Sequence, residues 1–230
     1  EKISKFLKTK NTKFIMTSKD AFNMSQILNK SYSEPFADSS QLATLFLTSK
    51  IYNNHRVVLT GDGGDELFGG YDRYTQFNKI KLFYQLLQFD KKHFLKKILN
   101  KIYNYNITKK TKNFRILHRI ISANSISKNF EEFFDNLISH KSTNLFDNNN
   151  DNNSLFRISN NYEINNAADL MNKDFENYLP DDLLVKMDRA CMFHSIENRS
   201  PFLSKDLIEF SNIIPFQYKI KNNKGKLILK

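Results

Sequence analysis

The segment VVLTGDGGDELFGGYDRY, residues 57–74, decides how the fold of this chain is interpreted. Three consecutive aliphatic residues predict a short buried strand, and a turn that contains Gly61, Gly63 and Gly64 follows it directly. Glycine permits positive φ and lets backbone N–H groups approach an anion closely. Because α/β sheets bind ligands where a strand opens into such a turn, the segment predicts an α/β fold with a ligand site here.

Acidic side chains crowd into the same turn. Asp62, Asp65 and Glu66 lie with five glycines within ten residues. Carboxylates beside a glycine turn suit a divalent metal that a nucleotide carries on its phosphates. The alternative interpretation is a tight turn with solvated acids, and the density of glycines and acids argues against it.

The composition is that of an ordinary soluble globular protein. The 230 residues can bury one substantial core, and 40% of them are hydrophobic. The lone Cys191 cannot form an internal disulfide, which predicts a cytoplasmic location; its place on an apolar helix face predicts a packing role rather than a nucleophile. The sequence contains no run of about 18 apolar residues, which is the length that a membrane-spanning helix needs. The chain does not begin with Met, and we expect it to be a fragment of a longer protein.

The net charge of +11 raises the alternative of a nucleic-acid-binding module. Such a module would cluster its basic residues around aromatic platforms. The lysines here are instead dispersed along the chain, and no binding motif is present. A polyanionic substrate such as ATP accounts for the same excess of positive charge. We therefore expect neither a nucleic-acid partner nor a membrane partner.

The first part of the chain reads as strand, helices, strand. Residues 13–17, KFIMT, predict a strand, and a helix is predicted from about residue 20 to 31. Ser39 or Ser40 is predicted to cap a second helix, and residues 56–60 form the next strand. This order predicts a parallel sheet. The uninterrupted VVL run predicts a strand that is covered on both faces.

The middle of the chain predicts helices and then a loop. Apolar residues recur at helical spacing from Ile80 to Leu87 and again from Phe94 to Ile102. The Asn-rich segment 147–154 predicts a loop. We therefore divide the chain into an α/β part with the nucleotide site (1–76), a variable helical segment (77–160) and a helical part that completes the site (161–230).

A further helix is predicted within YLPDDLLVKMDRACMFHSIENRSPFL, residues 178–203. Pro180 suits the first helical position, and the acids after it suit the positive end of the helix dipole. Asp182 lies four residues before Lys186, which predicts an ion pair on the polar face. A solvated polar face with a packed back is the alternative to a functional role for this helix.

Several motifs in this chain resemble the synthetase domain of glutamine-hydrolysing asparagine synthetases. Residues 60–71 fill the family's Ser/Thr-Gly-acid-Gly-x-Asp-Glu-x-Phe-Gly-Gly-Tyr string without a gap. Residues 179–203 are similar to its Leu-Pro-x-Asp-x-Leu-x-Lys-x-Asp-Arg…Glu-x-Arg-x-Pro-Phe-Leu region, with Ser200 where Val is usual. The turn SEPFADSS has Ser33 in place of the family's first Asp, and the tail from Gly225 resembles Gly-Lys-x-Leu-Leu-Arg.

The resemblance implies a fold and an activity. The fold is a helix-rich α/β synthetase domain with a parallel sheet, adenine nucleotide alpha-hydrolase-like (ATP pyrophosphatase), here without its first strands. The activity is ATP-dependent amidation of aspartate to asparagine through β-aspartyl-AMP, with release of AMP and pyrophosphate. The substrates are ATP and aspartate, magnesium (Mg²⁺) accompanies the nucleotide, and an N-terminal glutaminase domain supplies ammonia. A homodimer is left open.

The same resemblance implies roles for residues of the glycine turn. Thr60 and Gly61 would present their backbone to the nucleotide. Asp65 would hold Mg²⁺ against the phosphates or orient the amine of the substrate. Asp62, at the family's Glu or Asp position, would take a proton from the incoming ammonia.

The other site residues come from the second half of the chain. Lys226 lies where the family keeps a lysine that faces the phosphates, and it would stabilise the departing pyrophosphate. Lys186 and Arg189 would add positive charge there. Glu197, with Arg189, completes the predicted catalytic set by its place in the motif.

Two absences limit what this chain can do by itself. The family's pyrophosphate loop, Ser-Gly-Gly-x-Asp-Ser, and its glutaminase domain are missing from the sequence. The chain alone is therefore expected neither to hydrolyse glutamine nor to form an adenylate. Two alternatives stay open at this point: a related enzyme that amidates another carboxylate or closes a ring, as β-lactam synthetases do, and an inactive paralogue. The second is opposed by the intact residues Asp62, Asp65, Asp188, Arg189 and Lys226.

Overall fold

The computed structural model describes residues 1–88, 119–124, 126–138 and 163–230. These residues form a helix-rich α/β structure with one small sheet. The elements, in chain order, are α1 (Lys2–Phe6), α2 (Ser18–Ser31), α3 (Gln41–Ile51), β1 (Val57–Leu59), α4 (Gly64–Phe68), α5 (Asp72–Thr75), α6 (Phe77–Gln88), α7 (Phe130–Ile138), α8 (Ala167–Lys173), a π-helix (Asp174–Leu184), α9 (Val185–Phe193), β2 (Glu197–Arg199), a 3₁₀ turn (Pro201–Leu203), α10 (Lys205–Ile213), α11 (Phe216–Lys219) and a second 3₁₀ turn (Leu227–Leu229).

The sheet in the described residues pairs β1 with β2 in parallel, and Val58 lies opposite Asn198. The predicted parallel sheet is therefore confirmed, but β1 pairs with Glu197–Arg199 and not with the strand predicted at residues 13–17. The predicted covering of both faces is wrong, because Val57 is 44% exposed and Leu59 is 71% exposed. Alternate residues of a strand point to opposite faces, so Val57 and Leu59 share one face. No layer of the described residues covers that face.

The predicted strand at residues 13–17 is also wrong, since residues 11–17 adopt no regular structure. A strand needs a neighbour for its backbone N–H and C=O groups, and no described residue pairs with this segment. Its last residue instead begins α2. The Thr17 side chain accepts a bond from the Asp20 N–H at 3.2 Å, and the Asp20 carboxylate accepts one from the Thr17 N–H at 2.9 Å. This capping box starts the predicted helix at Ser18.

The helix predicted at Pro180 has a different start. α8, the π-helix and α9 run on without a break, so Pro180 lies inside a helix rather than at its first position. An α-helix loses a hydrogen bond at an internal proline; here the chain adopts i→i+5 bonding around it. The true start is Asn166, whose side chain accepts bonds from the N–H groups of Ala168 and Asp169. π-helical turns are frequent at functional sites.

The main core forms where α5, α6, α7 and α8 pack together. Its buried members are Tyr74, Phe77, Phe134, Ile164, Ala167, Leu170, Met171 and Ile220. The predicted helix through Ile80 and Leu87 is confirmed as α6. The helix predicted from Phe94 to Ile102 and the Asn-rich loop at 147–154 lie outside the described residues. Within the described ranges, no helix combines the length and apolarity needed to cross a bilayer.

Candidate functional site

The ends of the two strands are joined by hydroxyl groups. The Thr60 N–H donates to the Arg199 carbonyl at 2.9 Å, which extends the pairing by one residue. The Thr60 hydroxyl donates to Asp62 Oδ2 at 2.7 Å and lies 3.0 Å from Ser200 Oγ. The Asp62 carboxylate is therefore oriented at the end of β1. Ser200, which departs from the family's usual Val, contributes to this contact.

The turn after β1 has little room for any residue but glycine at position 63. Gly63 has φ +85°, and a Cβ there would lie 2.2 Å from a Leu203 methyl carbon. Gly64 begins α4 directly after it. Asp65 and Glu66 are thus placed in the first turn of α4, where a helix favours negative charge.

The tail of the chain returns to this turn and brings Lys226 to Asp65. The Lys226 ammonium lies 2.9 Å from Asp65 Oδ1, and each side chain is 34% exposed. The Lys226 N–H donates to the Phe68 carbonyl at 3.0 Å, which fixes the tail against the end of α4. Lys226 has φ +55°, a left-handed conformation. The structure therefore brings together two site residues that the sequence predicts from separate motifs.

Two glycines make this approach of the tail sterically feasible. A Cβ at Gly70 would lie 1.7 Å from Asp65 Oδ1 and 2.3 Å from Lys226 Cε. A Cβ at Gly225 would lie 1.8 Å from the Gly69 carbonyl oxygen. All three distances are far below van der Waals contact. The second Gly of the Phe-Gly-Gly-Tyr string is thus explained by the Asp65–Lys226 ion pair.

We expect Gly70→Ala to separate Asp65 from Lys226. The added methyl group would overlap both side chains, so the pair must open or the tail must leave α4. Displacement of a packed segment costs about 1–3 kcal/mol. Circular dichroism melts should show a lower thermal midpoint for Gly70→Ala. Gly61→Ala is the matched control, because a Cβ at Gly61 meets no atom within 4 Å; equal midpoints for the two variants would contradict the steric argument.

Lys186 lies in an internal ion pair rather than on a solvated face. Its side chain is 10% exposed, and its ammonium donates to the Asp38 carboxylate and, at 2.8 Å, to Ser40 Oγ. Burial opposes the charge of Asp38, but the Lys186 and Ser40 hydrogen bonds hold the pKa of this carboxyl below its usual range. Lys186 therefore pairs with Asp38 and not, as predicted, with Asp182.

This ion pair also changes how α3 begins. Ser40 occupies the predicted cap position, but its side chain makes no cap hydrogen bond to the helix. The Ser40 hydroxyl instead accepts a hydrogen bond from the Lys186 ammonium, and the Ser40 N–H donates to Asp38 Oδ1 at 2.7 Å. The turn 33–40 is therefore fastened to α9. Contact of Lys186 with a nucleotide stays a prediction.

Arg189 and Glu197 bond residues other than Asp65 and Lys226. Arg189 Nη1 donates to Ser33 Oγ at 2.9 Å. Glu197 accepts from Arg199 Nε at 2.7 Å, and both side chains are more than half exposed. Their catalytic roles stay predictions.

A buried polar network next to the site was not predicted from the sequence. Glu66 is 2% exposed and accepts from the Tyr71 hydroxyl at 2.7 Å. Burial raises the pKa of Glu66 above its usual value. Asp174 Oδ2 accepts from Arg73 Nε at 2.8 Å and from the Tyr74 hydroxyl at 2.6 Å. The run Tyr71–Tyr74 carries a signal for such a cluster, but nothing in the sequence identifies Asp174 as the partner.

The donor set fits magnesium that arrives on a nucleotide. No group of three or more His, Cys, Asp or Glu side chains in the described residues could hold a metal alone. Mg²⁺ is commonly bound by one or two carboxylates together with substrate phosphates. Asp65, a partly exposed carboxylate at the glycine turn, meets that requirement.

Comparison with known proteins agrees with the motifs. The family model for asparagine synthase matches residues 1–230. "Asparagine synthetase [glutamine-hydrolyzing] 1" of Bacillus subtilis (strain 168) is 26% identical over 211 residues, which cover 86% of this chain and 31% of that protein. The chain thus spans about a third of the length of this relative. No solved structure matches the chain. By its match to the family model over its whole length, the chain belongs to the asparagine synthase family.

Proposed function

We propose that this chain forms part of an enzyme of asparagine biosynthesis that uses ATP to amidate aspartate through β-aspartyl-AMP. AMP and pyrophosphate would be the other products. The observation that carries the proposal is the Asp65–Lys226 pair beside the Thr60–Asp62 contact. These contacts bring one cation and two carboxylates to the end of a parallel strand, and such a set would suit the transfer of AMP to a carboxylate.

Lys226 and Asp65 would exchange partners when ATP binds. The Lys226 ammonium would leave Asp65 for the pyrophosphate, whose growing charge it stabilises as a point charge. Asp65 would then hold Mg²⁺ or the amine of aspartate. Mg²⁺, when bound, supplies charge neutralisation of the phosphates. Both side chains are a third exposed, so a ligand can reach them without unfolding of the turn.

Backbone groups at the end of β1 would position the nucleotide. A Cβ at Gly61 meets no atom within 4 Å, so open space adjoins this residue. Thr60 is held by its bond to the Arg199 carbonyl. A fixed backbone beside open space provides the positioning from which such a transfer gains most.

Asp62 would take the proton that ammonia loses when it attacks the adenylate. The Thr60 hydroxyl donates to Oδ2 and orients the carboxylate, so Oδ1 is the oxygen we assign to the proton. General-base catalysis by a positioned carboxylate contributes about 10²–10⁴-fold.

Lys186, Arg189 and Glu197 complete the proposal. Lys186 and Arg189 would contact the pyrophosphate only after they give up Asp38 and Ser33, their present partners. Glu197 would act from β2, whose end adjoins Thr60. Ammonia would come from a glutaminase domain that this chain does not contain, which agrees with the 31% of the relative that it spans. The chain alone would be inactive.

We expect Asp62→Asn to lower asparagine formation by about a hundredfold while adenylate formation stays within about threefold of wild type. Asparagine retains the shape and the Thr60 contact but cannot accept the proton as a carboxylate does. ATP–pyrophosphate exchange measures the first half-reaction, and amino-acid analysis measures the second. Asp72→Asn, at an exposed acid of α5, serves as the control. An equal fall in both half-reactions would show that Asp62 does not handle this proton.

The overall reaction is tested on the full-length protein that carries this chain. It is incubated with ATP, Mg²⁺, glutamine or ammonia, and a panel of carboxylates led by aspartate. Pyrophosphate release and the product mass are recorded. Asparagine with AMP and pyrophosphate supports the proposal. If pyrophosphate is released with a different acid, the protein is an enzyme that amidates that acid. If no acid leads to pyrophosphate release, the proposal is contradicted.

A further inference from the structure

A second cavity lies between α4, α8, the π-helix and residues 212–219. Its volume is about 530 Å³. Neither Asp65 nor Lys226 lines it. The side chains that decide its chemistry are one lysine, two acids and two amides: Lys219, Glu66, Glu176, Asn172 and Asn212.

Lys219 is buried in this cavity without a partner among the described residues. It is 9% exposed, and its ammonium makes no hydrogen bond or ion pair to any residue that the structure describes. Desolvation lowers its pKa. Burial of an ammonium without a counter-charge is unfavourable, and an anion that enters the cavity would relieve this cost. Lys219 therefore indicates a site for an anionic group.

The remaining side chains restrict which anion fits. Glu66 lines the buried part of the cavity, while Glu176, Asn172 and Asn212 are exposed and surround its mouth. Two acids disfavour a multiply charged anion such as phosphate, because like charges repel at short range. A molecule with one carboxylate and one ammonium group can instead place its carboxylate against Lys219 and its ammonium toward the carboxyl and amide oxygens of the lining. The amides at the mouth can bond either of its polar groups.

The apolar part of the lining sets the size of the ligand. Leu67, Met171 and Phe216 contribute hydrocarbon surface beside the charged groups. Small-ligand sites typically combine mostly apolar walls with a few placed polar groups, and their volumes run from about 300 to 1,000 Å³. A single amino acid, with its backbone charges and one side chain, matches this combination.

We propose that this cavity binds a free α-amino acid, with its carboxylate against the Lys219 ammonium and its own ammonium among the acidic and amide side chains. The inference rests on the cavity alone. It holds whichever carboxylate the Asp65–Lys226 pair acts on.

Isothermal titration of the full-length protein that carries this chain, without ATP, tests the proposal. The probes are the twenty amino acids, inorganic phosphate, and the methyl ester of any amino acid that binds. We expect at least one amino acid to bind and its ester to bind at least tenfold more weakly. Lys219→Met should weaken binding at least tenfold, whereas Lys221→Met, at an exposed lysine two residues away, should not.

Three results would overturn the proposal: no amino acid binds, Lys219→Met binds as wild type does, or phosphate binds and amino acids do not. Loss of fold does not confuse the test. Lys219→Met removes an unpaired buried charge and should melt no lower than wild type at pH 7. The thermal midpoint of Lys219→Met is measured beside its titration, so weaker binding that comes from unfolding is recognised as such.

The direction in which pH changes the stability of the wild-type protein agrees with the expectation that Lys219→Met melts no lower than wild type. The folded pKa of Lys219 lies below its unfolded value, so the unfolded chain binds more protons between the two. The destabilising contribution of Lys219 is therefore complete below the folded pKa. It is relieved as the pH rises from the folded pKa toward the model-peptide value of 10.5.

Discussion

Lys226→Ala is expected to slow pyrophosphate release by the full-length protein about a hundredfold or more, the usual effect of removing one charge-stabilising donor. The Lys226 ammonium is held 2.9 Å from Asp65 at the glycine turn. In the proposed mechanism it would move from there to the phosphates of the bound nucleotide. The ion pair itself contributes little to the free energy of unfolding, about 0–1 kcal/mol, because both partners are partly solvated. The Lys226→Ala variant should therefore fold normally but release pyrophosphate more slowly than wild type.

The control for this variant is Lys224→Ala. Lys224 is an exposed lysine of the same tail, and its backbone bridges Lys221. It should keep the wild-type rate. Pyrophosphate release is followed with a coupled assay, and the thermal midpoints of both variants are compared with wild type. An unchanged rate in Lys226→Ala would remove this lysine from the site.

Asp174→Ala is expected to lower the free energy of unfolding by about 3–5 kcal/mol, as the loss of one partner of a buried ion pair does. Asp174 is 3% exposed, and its Oδ2 accepts from both Arg73 and Tyr74. Without the carboxylate, a buried guanidinium and a buried hydroxyl lose their shared acceptor. Urea denaturation followed by circular dichroism measures the change.

Two further variants make the Asp174 experiment specific. Asp181→Asn, at an exposed acid of the same π-helix, should change the free energy of unfolding by less than about 0.5 kcal/mol. The double variant Arg73→Met with Asp174→Leu should recover much of the lost stability, because an apolar pair can replace a buried ion pair. If the double variant is no more stable than Asp174→Ala, the loss does not come from the unpaired arginine.

The strand and the glycine turn could be predicted because their signals are local. Three aliphatic residues before a run of glycines encode β1 and the turn wherever the rest of the chain lies. Whether other elements cover the faces of β1 depends on residues that are distant in the sequence, and the three residues of the strand do not indicate it. Leu59 is accordingly 71% exposed although its neighbours predicted burial.

The structural roles of Thr17 and Pro180 were harder to predict, because each residue type occurs in two structural contexts. Thr17 reads as the end of a strand, yet its hydroxyl and Asp20 form a capping box. Pro180 reads as a helix start, yet an upstream cap at Asn166 makes it an internal residue of a wider helix. In the first case a hydrogen bond three residues away decided the outcome, and in the second case a cap at Asn166, far upstream of Pro180, did so.

The partners of the charged site residues could not be predicted at all from spacing. Asp182 lies four residues before Lys186, but the Lys186 ammonium donates to Asp38, which is 148 residues away in the sequence. Motif order predicted that Lys226 and Asp65 serve one site. It could not predict that they bond each other directly.

The parallel pairing of β1 with β2 has a consequence for how this protein folds. The hydroxyls of Thr60 and Ser200, which join the strand ends, are separated by 140 residues of sequence. Contacts of such long sequence separation form slowly, because loop closure must precede any gain from them. During synthesis, the glycine turn emerges long before β2 and the tail that holds Lys226. The acidic turn of the nascent chain therefore lacks its Lys226 partner until the tail has been synthesised, and only then can the ion pair form.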